Sequence, residues 1–446
     1  MRAFESSTWP QRTRKSDLLV LSNVFTQPAI FWVSTVAWVA AAKYTTQDHR
    51  PLTTDILFPA LRQVIKTHPS LCVALKNESS SKAAFTRLHT IDLSQIVEFR
   101  NSDSLQAAFE GQLTHGFDTE PDAPLWRIQV LADNTVILAI HHVIADGLST
   151  IAFHGSLLRA VRNGSFCDTS SLVQIPDTIR MLPTVEAVTN VWPSIPTILD
   201  RIYREFAPQY LKSDRHAWSG KPVPRTGTLR TNVRLISFLP HDVAAFCSLC
   251  RTHRATLTSA FYVLTVAILS RMLAGDTRYK TISSAVAVSL RGVAGVSGDA
   301  ICDFVSAHFA HPPVNPNFSW TTAARYARKL RKQKRDARQS IGLLRLLFRN
   351  YIPFMRGHLG RKRDSGFVLS NLGRFDAPMI EGTWNVVNTV FAQCDVIIGA
   401  AFKLNVVCDP GGTLNVALTW GDYGVETDFV ESFISQFQDA FHDLLV

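Results

Sequence analysis

Along the chain, apolar positions switch between helical spacing and strand-like runs, and the switches lay out an α/β order of elements. Asp55 to Thr67 places Ile56, Leu57, Leu61, Val64 and Ile65 on one helix face, with Thr54 or Asp55 as its cap and Pro69 discouraging continuation. Leu71 to Leu75 reads as a strand and Leu105 to Leu113 as a second helix. Leu125 to Leu131 and Thr135 to His142 are β-rich runs joined by Ala132-Asp133-Asn134, a turn composition, and predict a hairpin. The second run is apolar on both faces, as a central strand covered on both sides requires. Helical periodicity then resumes from Leu148 to Val161.

From Asn163 to Arg230 the prolines at 176, 183, 193, 196, 208, 222 and 224 interrupt the pattern, which marks a long crossover. Beyond it the spacing predicts a strand at Asn232 to Leu239, helices at Asp242 to His253 and Leu257 to Met272 with Thr256 capping the second, and a strand at Thr281 to Leu290. A basic helix follows. Strands are then expected near Phe367 to Ser370, Val386 to Phe391, Ala400 to Cys408 and Leu414 to Trp420, with Pro410-Gly411-Gly412 turning between the last two. A final helix runs from Asp428 to Leu445. At 446 residues the chain exceeds what one core supports, so two domains are expected: 1–165 and 231–446, with 166–230 as the linker between them.

Composition changes this picture little, since 46% hydrophobic and 18% charged residues suit two buried cores. The seven cysteines are odd in number and scattered, which reads as reduced thiols in a cytoplasmic protein. Cys247-Ser-Leu-Cys250 with His253 lacks the fourth ligand of a structural zinc site, so no metal is expected. The net charge of +10 is concentrated between Arg325 and Arg349, where ten Lys/Arg stand against one acid, Asp336. No aromatic interleaving or RNA-binding signature accompanies that stretch, so nucleic acid is not an expected partner. A solvated face, an acidic protein, a phosphorylated cosubstrate or a membrane surface fits it as well. Leu18 to Ala42 carries no charge and follows Arg12, Arg14 and Lys15, but Pro28 and six further breaks in its apolarity favour buried strand and loop over a membrane span.

The chemistry concentrates at Ile140-His141-His142-Val143-Ile144-Ala145-Asp146-Gly147, an HHxxxDG segment on a strand-to-helix turn. A histidine there is suited to take a proton from an alcohol at neutral pH. Adjacent strand residues point to opposite faces, so one of His141 and His142 works in a cavity and the other packs. Asp146 could orient the imidazole, ligate a metal or pair with an arginine elsewhere. Gly147 fits a turn where a side chain would obstruct backbone or ligand.

Pro124-Leu125-Trp126-Arg127-Ile128, HHVIADGLS, Ser289-Leu290-Arg291 and Ser370-Asn371-Leu372-Gly373-Arg374-Phe375-Asp376 together resemble the acyltransferase superfamily of chloramphenicol acetyltransferase and peptide-synthetase condensation domains. The nearest likeness is to alcohol acetyltransferases and polyketide-associated O-acyltransferases, from about Leu18 to Val446.

The resemblance implies two chloramphenicol-acetyltransferase-like α/β sandwiches with a tunnel between them, entered by the acyl thioester at one end and the alcohol at the other. It makes His142 the general base, leaves His141 to packing, and makes Asp146 structural. Condensation domains supply the arginine partner of this aspartate where the present chain has Cys72. Plant-type relatives supply it from the second half, where Arg291 matches, although their DFGWG segment is absent here. Ser370 and Asn371 are the candidate donors to a tetrahedral oxyanion. The expected activity is transfer of an acetyl or other short acyl group from acyl-CoA to the hydroxyl of a small apolar metabolite, with no permanently bound cofactor. An acyl carrier protein is the alternative donor, and a non-catalytic binding module the alternative class.

Overall fold

The computed structural model describes residues 18–20 and 37–446 apart from 79–82, 102–103, 120–121, 165–167, 209–210, 213, 227–229 and 347–350. Of the uncharged run Leu18 to Ala42, residues 21–36, with Pro28, lie outside the described residues, as do Arg12, Arg14, Lys15 and Cys167. Its two ends are strands, Leu18–Val20 and Ala37–Thr45.

The Ala132-Asp133-Asn134 turn forms between Trp126–Leu131 and Thr135–His141, which pair antiparallel. Asn134 takes the positive φ of 63° that closes so tight a turn. Every residue of Thr135–His141 is buried. It lies at the centre of a five-stranded sheet ordered Asn385–Gln393, Ala37–Thr45, Thr135–His141, Trp126–Leu131, Val97–Arg100. Full burial of Ile137, Leu138 and Ile140 contributes about 1.5–3 kcal/mol for each side chain. One face carries helices Thr54–Thr67 and Gly147–Asn163, whose apolar residues join a core with Trp126, Leu138 and Ile140.

A six-stranded mixed sheet forms the second half, ordered Thr231–Phe238, Leu414–Gly421, Phe402–Cys408, Phe367–Arg374, Ser284–Ser289, Val305–Ala310. Helix Leu257–Met272, capped by Thr256 as its sequence requires, fills the core of that half with Phe402, Phe433 and Phe437. The two sheets meet through small side chains: Ala37, Val39, Ala41 and Ala139 of the first pack with Val233 and Ala417 of the second.

Several boundaries differ from expectation for identifiable reasons. The first helix begins at Thr54, with Thr53 rather than Thr54 or Asp55 in the capping position, and Leu71 and Cys72 belong to a 3-10 turn that precedes strand Val73–Lys76. Thr281 to Leu290 is broken into Thr281–Ile282 and Ser284–Ser289, which lie in different sheets. The edge strand Val305–Ala310 has only alternate residues buried, a weak apolar signal. Strand Asn385–Gln393 leaves the sequence of the second half to pair with Ala37–Thr45 of the first, so the sheets exchange an element. The crossover does the reverse: Leu172–Gln174 pairs with Thr90–Asp92, whereas Val185 and Val191 pack with Leu290, Phe304 and Ile341.

Candidate functional site

The central strand ends at His141, and that ending separates the two histidines. His141 is fully buried; its Nδ1 accepts the Val143 N–H at 3.0 Å and its ring meets the Phe117 ring edgewise. His142, just past the strand, keeps 24% of its side chain accessible. Its Nδ1 lies 3.1 Å from the Ala145 carbonyl oxygen and 3.6 Å from Asp303 Oδ2. A carbonyl can only accept, so Nδ1 carries the hydrogen and Nε2 carries the lone pair. The ring is held on another side by Trp38, edge-on at 4.7 Å between centroids, which in turn stacks on Phe391 at 5.6 Å. Trp38 comes from the first sheet's second strand and Phe391 from the exchanged strand, so both halves of the sequence fix one imidazole.

Asp146 is the N-cap of helix Gly147–Asn163 and closes a capping box with Ser149. Its Oδ1 accepts from the Ser149 N–H and hydroxyl, both at 3.0 Å, while Oδ2 accepts the Phe304 N–H at 3.1 Å and pairs with Arg291 Nη1. Arg291 is 3% exposed; its Nη2 donates to Ser149 Oγ and to the carbonyls of Ala300 and Cys302. The buried charge pair is thus enclosed by donors and acceptors, the condition under which such a pair is tolerated. Cys72 is buried with its thiol toward the Ile65 carbonyl, and burial pushes that thiol up to about 12.

Asp303 belongs to none of the motifs in the sequence. It precedes edge strand Val305–Ala310, and the alternation in Phe304-Val305-Ser306-Ala307-His308-Phe309 was the available signal. Burial pushes its carboxyl up to about 7, against the opposing pull of His142; Asp146 adds to the rise and Arg291 opposes it. Its Oδ1 is buried and makes no hydrogen bond among the described residues.

Gly147 starts its helix against the second half: a Cβ there would lie 2.8 Å from Leu372 and 3.0 Å from Phe391, so the close approach is to side chains rather than to backbone. Leu372 belongs to strand Phe367–Arg374, and alternation puts Ser370 on the same strand face as Leu372. Asn371 points to the other face, where its Nδ2 donates to Thr258 Oγ1 at 3.0 Å and its Oδ1 accepts the Gly373 N–H at 2.8 Å. Of the two candidate donors, Asn371 therefore has its amide engaged away from the motif.

Cys250 is buried within its helix face and His253 stacks on Trp320. Among the described residues no three His, Cys, Asp or Glu side chains come together as a metal site. No single helix among them is long and apolar enough to cross a membrane. The bent pair Pro240–Thr252 and Leu257–Met272 passes by length and composition, but the second helix is the buried core of its half.

Residues 305–441 match the alcohol acetyltransferase family. A probable alcohol acetyltransferase of Fusarium pseudograminearum is 26% identical, covering 90% of this chain and 88% of its own. The trichothecene 15-O-acetyltransferase of Fusarium sporotrichioides superposes with a TM-score of 0.69 at 12% identity, over 96% of this chain and 95% of that one. The epimerization domain from the third module of tyrocidine synthetase B superposes with a TM-score of 0.61 at 12% identity, over 93% of each chain. The fold is therefore the two-domain condensation and acyltransferase fold, and the sequence likeness lies with the alcohol acetyltransferases.

Proposed function

We propose that this chain, an acyltransferase similar to the alcohol acetyltransferases, moves an acetyl or other short acyl group from acyl-CoA to the hydroxyl of a small apolar metabolite in one direct step, with His142 as general base. The observation that carries this reading is the hydrogen bond from His142 Nδ1 to the Ala145 carbonyl, which leaves Nε2 free to accept a proton. Nε2 takes the hydroxyl proton as the oxygen attacks the thioester carbonyl. The tetrahedral oxyanion needs a donor, and the Ser370 hydroxyl, on the strand face shared with Leu372, is the residue assigned to it. The C–S bond then breaks and His142 returns its proton to the departing thiolate. Asp303 acts through His142: its carboxylate stands beside Nδ1 and favours the imidazolium that forms in transit. Asp146 and Arg291 act one step further out, by fixing the turn.

The basic stretch from Arg325 supports one variation, a carrier-protein-bound acyl donor. Incubation with acetyl-CoA and a panel of alcohols, followed by mass spectrometry, tests the reading. An acetyl ester formed with release of free CoA is the expected outcome. Ester formed only from a loaded carrier protein replaces the donor, and no transfer from either donor across the panel contradicts the function.

A further inference from the structure

Helix Ile195–Phe206, in the crossover, is amphipathic with its faces reversed. Ile195, Leu199, Ile202 and Phe206 follow a 4-3-4 spacing and share one face, yet they are 73%, 60%, 48% and 80% exposed. Tyr203, on the edge of this face, and Leu211 just beyond the helix are exposed as well. The polar face turns inward. Thr197 Oγ1 and the Ser194 N–H both donate to Gln339 Oε1, the Arg201 guanidinium lies over the Phe354 ring, and Arg361 pairs with Glu205. Buried Val191 ties the start of the helix to Ala337 and Ile341, so the ridge is fixed to the basic stretch. The ridge packs on helix Arg338–Arg345, and the helix just before that one, Trp320–Asp336, presents Arg325, Arg328, Lys329, Arg331, Lys332 and Lys334 to solvent.

We propose that this ridge seats the enzyme on an anionic membrane surface, its apolar side chains entering between lipid headgroups while the basic helix meets lipid phosphates. A one-helix stripe of large apolar and aromatic side chains beside concentrated Lys/Arg is the composition of an interfacial anchor. Side chains half to four-fifths exposed stand proud of the surface and suit insertion into a soft interface. An acidic protein would answer the basic helix but would leave this ridge in water. Such seating would place the acyltransferase where apolar acceptors collect.

The test uses the full chain and sedimentation with vesicles of phosphatidylcholine alone or mixed with phosphatidylserine. The parent is expected to sediment with the anionic vesicles and to be released by high salt. L199E/I202E, on exposed helix positions, is expected to lower vesicle affinity about tenfold or more, and K332E/K334E to lower it by a similar factor, with circular dichroism and the rate of transfer from acetyl-CoA unchanged. A parent that remains in the supernatant with anionic vesicles overturns the proposal, as does sedimentation of both variants equal to the parent's. Variants that lose only turnover with a loaded acyl carrier protein would assign the surface to that partner and likewise overturn it.

Discussion

The turn 141–147 and the segment 302–304 each bring one carboxylate to the neighbourhood of His142, and the two are treated in opposite ways. Asp146 accepts three hydrogen bonds from Ser149 and Phe304 besides its ion pair with Arg291. Asp303 has one oxygen 3.6 Å from His142 Nδ1 and another with no partner among the described residues. A carboxylate surrounded by donors serves as a fixed joint; a desolvated one with few donors has its pKa pushed up, here to about 7, and can respond to its neighbour. Charge type is the same in both, and the count of donors separates the roles.

The largest expected effect falls on the joint. Asp146→Ala leaves the Arg291 guanidinium buried without its partner and should lower stability by about 3–5 kcal/mol, read by denaturant unfolding. A variant as stable as the parent would break the distinction from that side.

Asp303→Asn should behave differently. The rate of acyl transfer at pH 8 is expected to fall about tenfold, as a supporting charge beside the imidazolium is lost. Its folded pKa of about 7 lies above the unfolded value near 3.8, so the native state holds this proton more tightly. Stability from this group is therefore full below the unfolded value and lost as pH rises through about 7. Thermal unfolding at pH 5 and pH 8 should show that loss in the parent and a flatter dependence in Asp303→Asn. The rate should also fall with acidification through about 7 in the parent, as Asp303 takes up its proton and the negative charge beside His142 is lost. An unchanged rate and pH profile in the variant would reduce Asp303 to a buried bystander.

Gly147→Ala gives the smallest effect. The new Cβ meets the ends of the Leu372 and Phe391 side chains, and their displacement should cost about 1 kcal/mol. A larger loss, measured in the same unfolding experiment, would mean that the two halves are packed there without room to shift.

The motif and its surrounding hairpin were legible because the signals are local. Continuous apolarity marks the central strand, Ala132-Asp133-Asn134 marks the turn, and spacing places a helix over Leu148 to Val161, within the observed Gly147–Asn163. The likeness to acyltransferases rested on short segments whose order along the chain could be read directly. Asp303, Trp38 and Phe391 were not found because they reach His142 through pairings across the chain: an edge strand with alternate burial, a strand inside an uncharged run, and an exchanged strand. No periodicity records which strands become neighbours. The exposed stripe of helix Ile195–Phe206 is masked differently, since Pro193, Pro196 and Pro208 interrupt the pattern around its 4-3-4 spacing.

The most direct measurement is the rate of acyl transfer by His142→Ala beside its thermal unfolding. The account predicts a folded protein with an unfolding midpoint close to the parent's, because this side chain is partly exposed, and a rate lower by about a hundredfold or more. A folded variant that transfers at the parent's rate would contradict it.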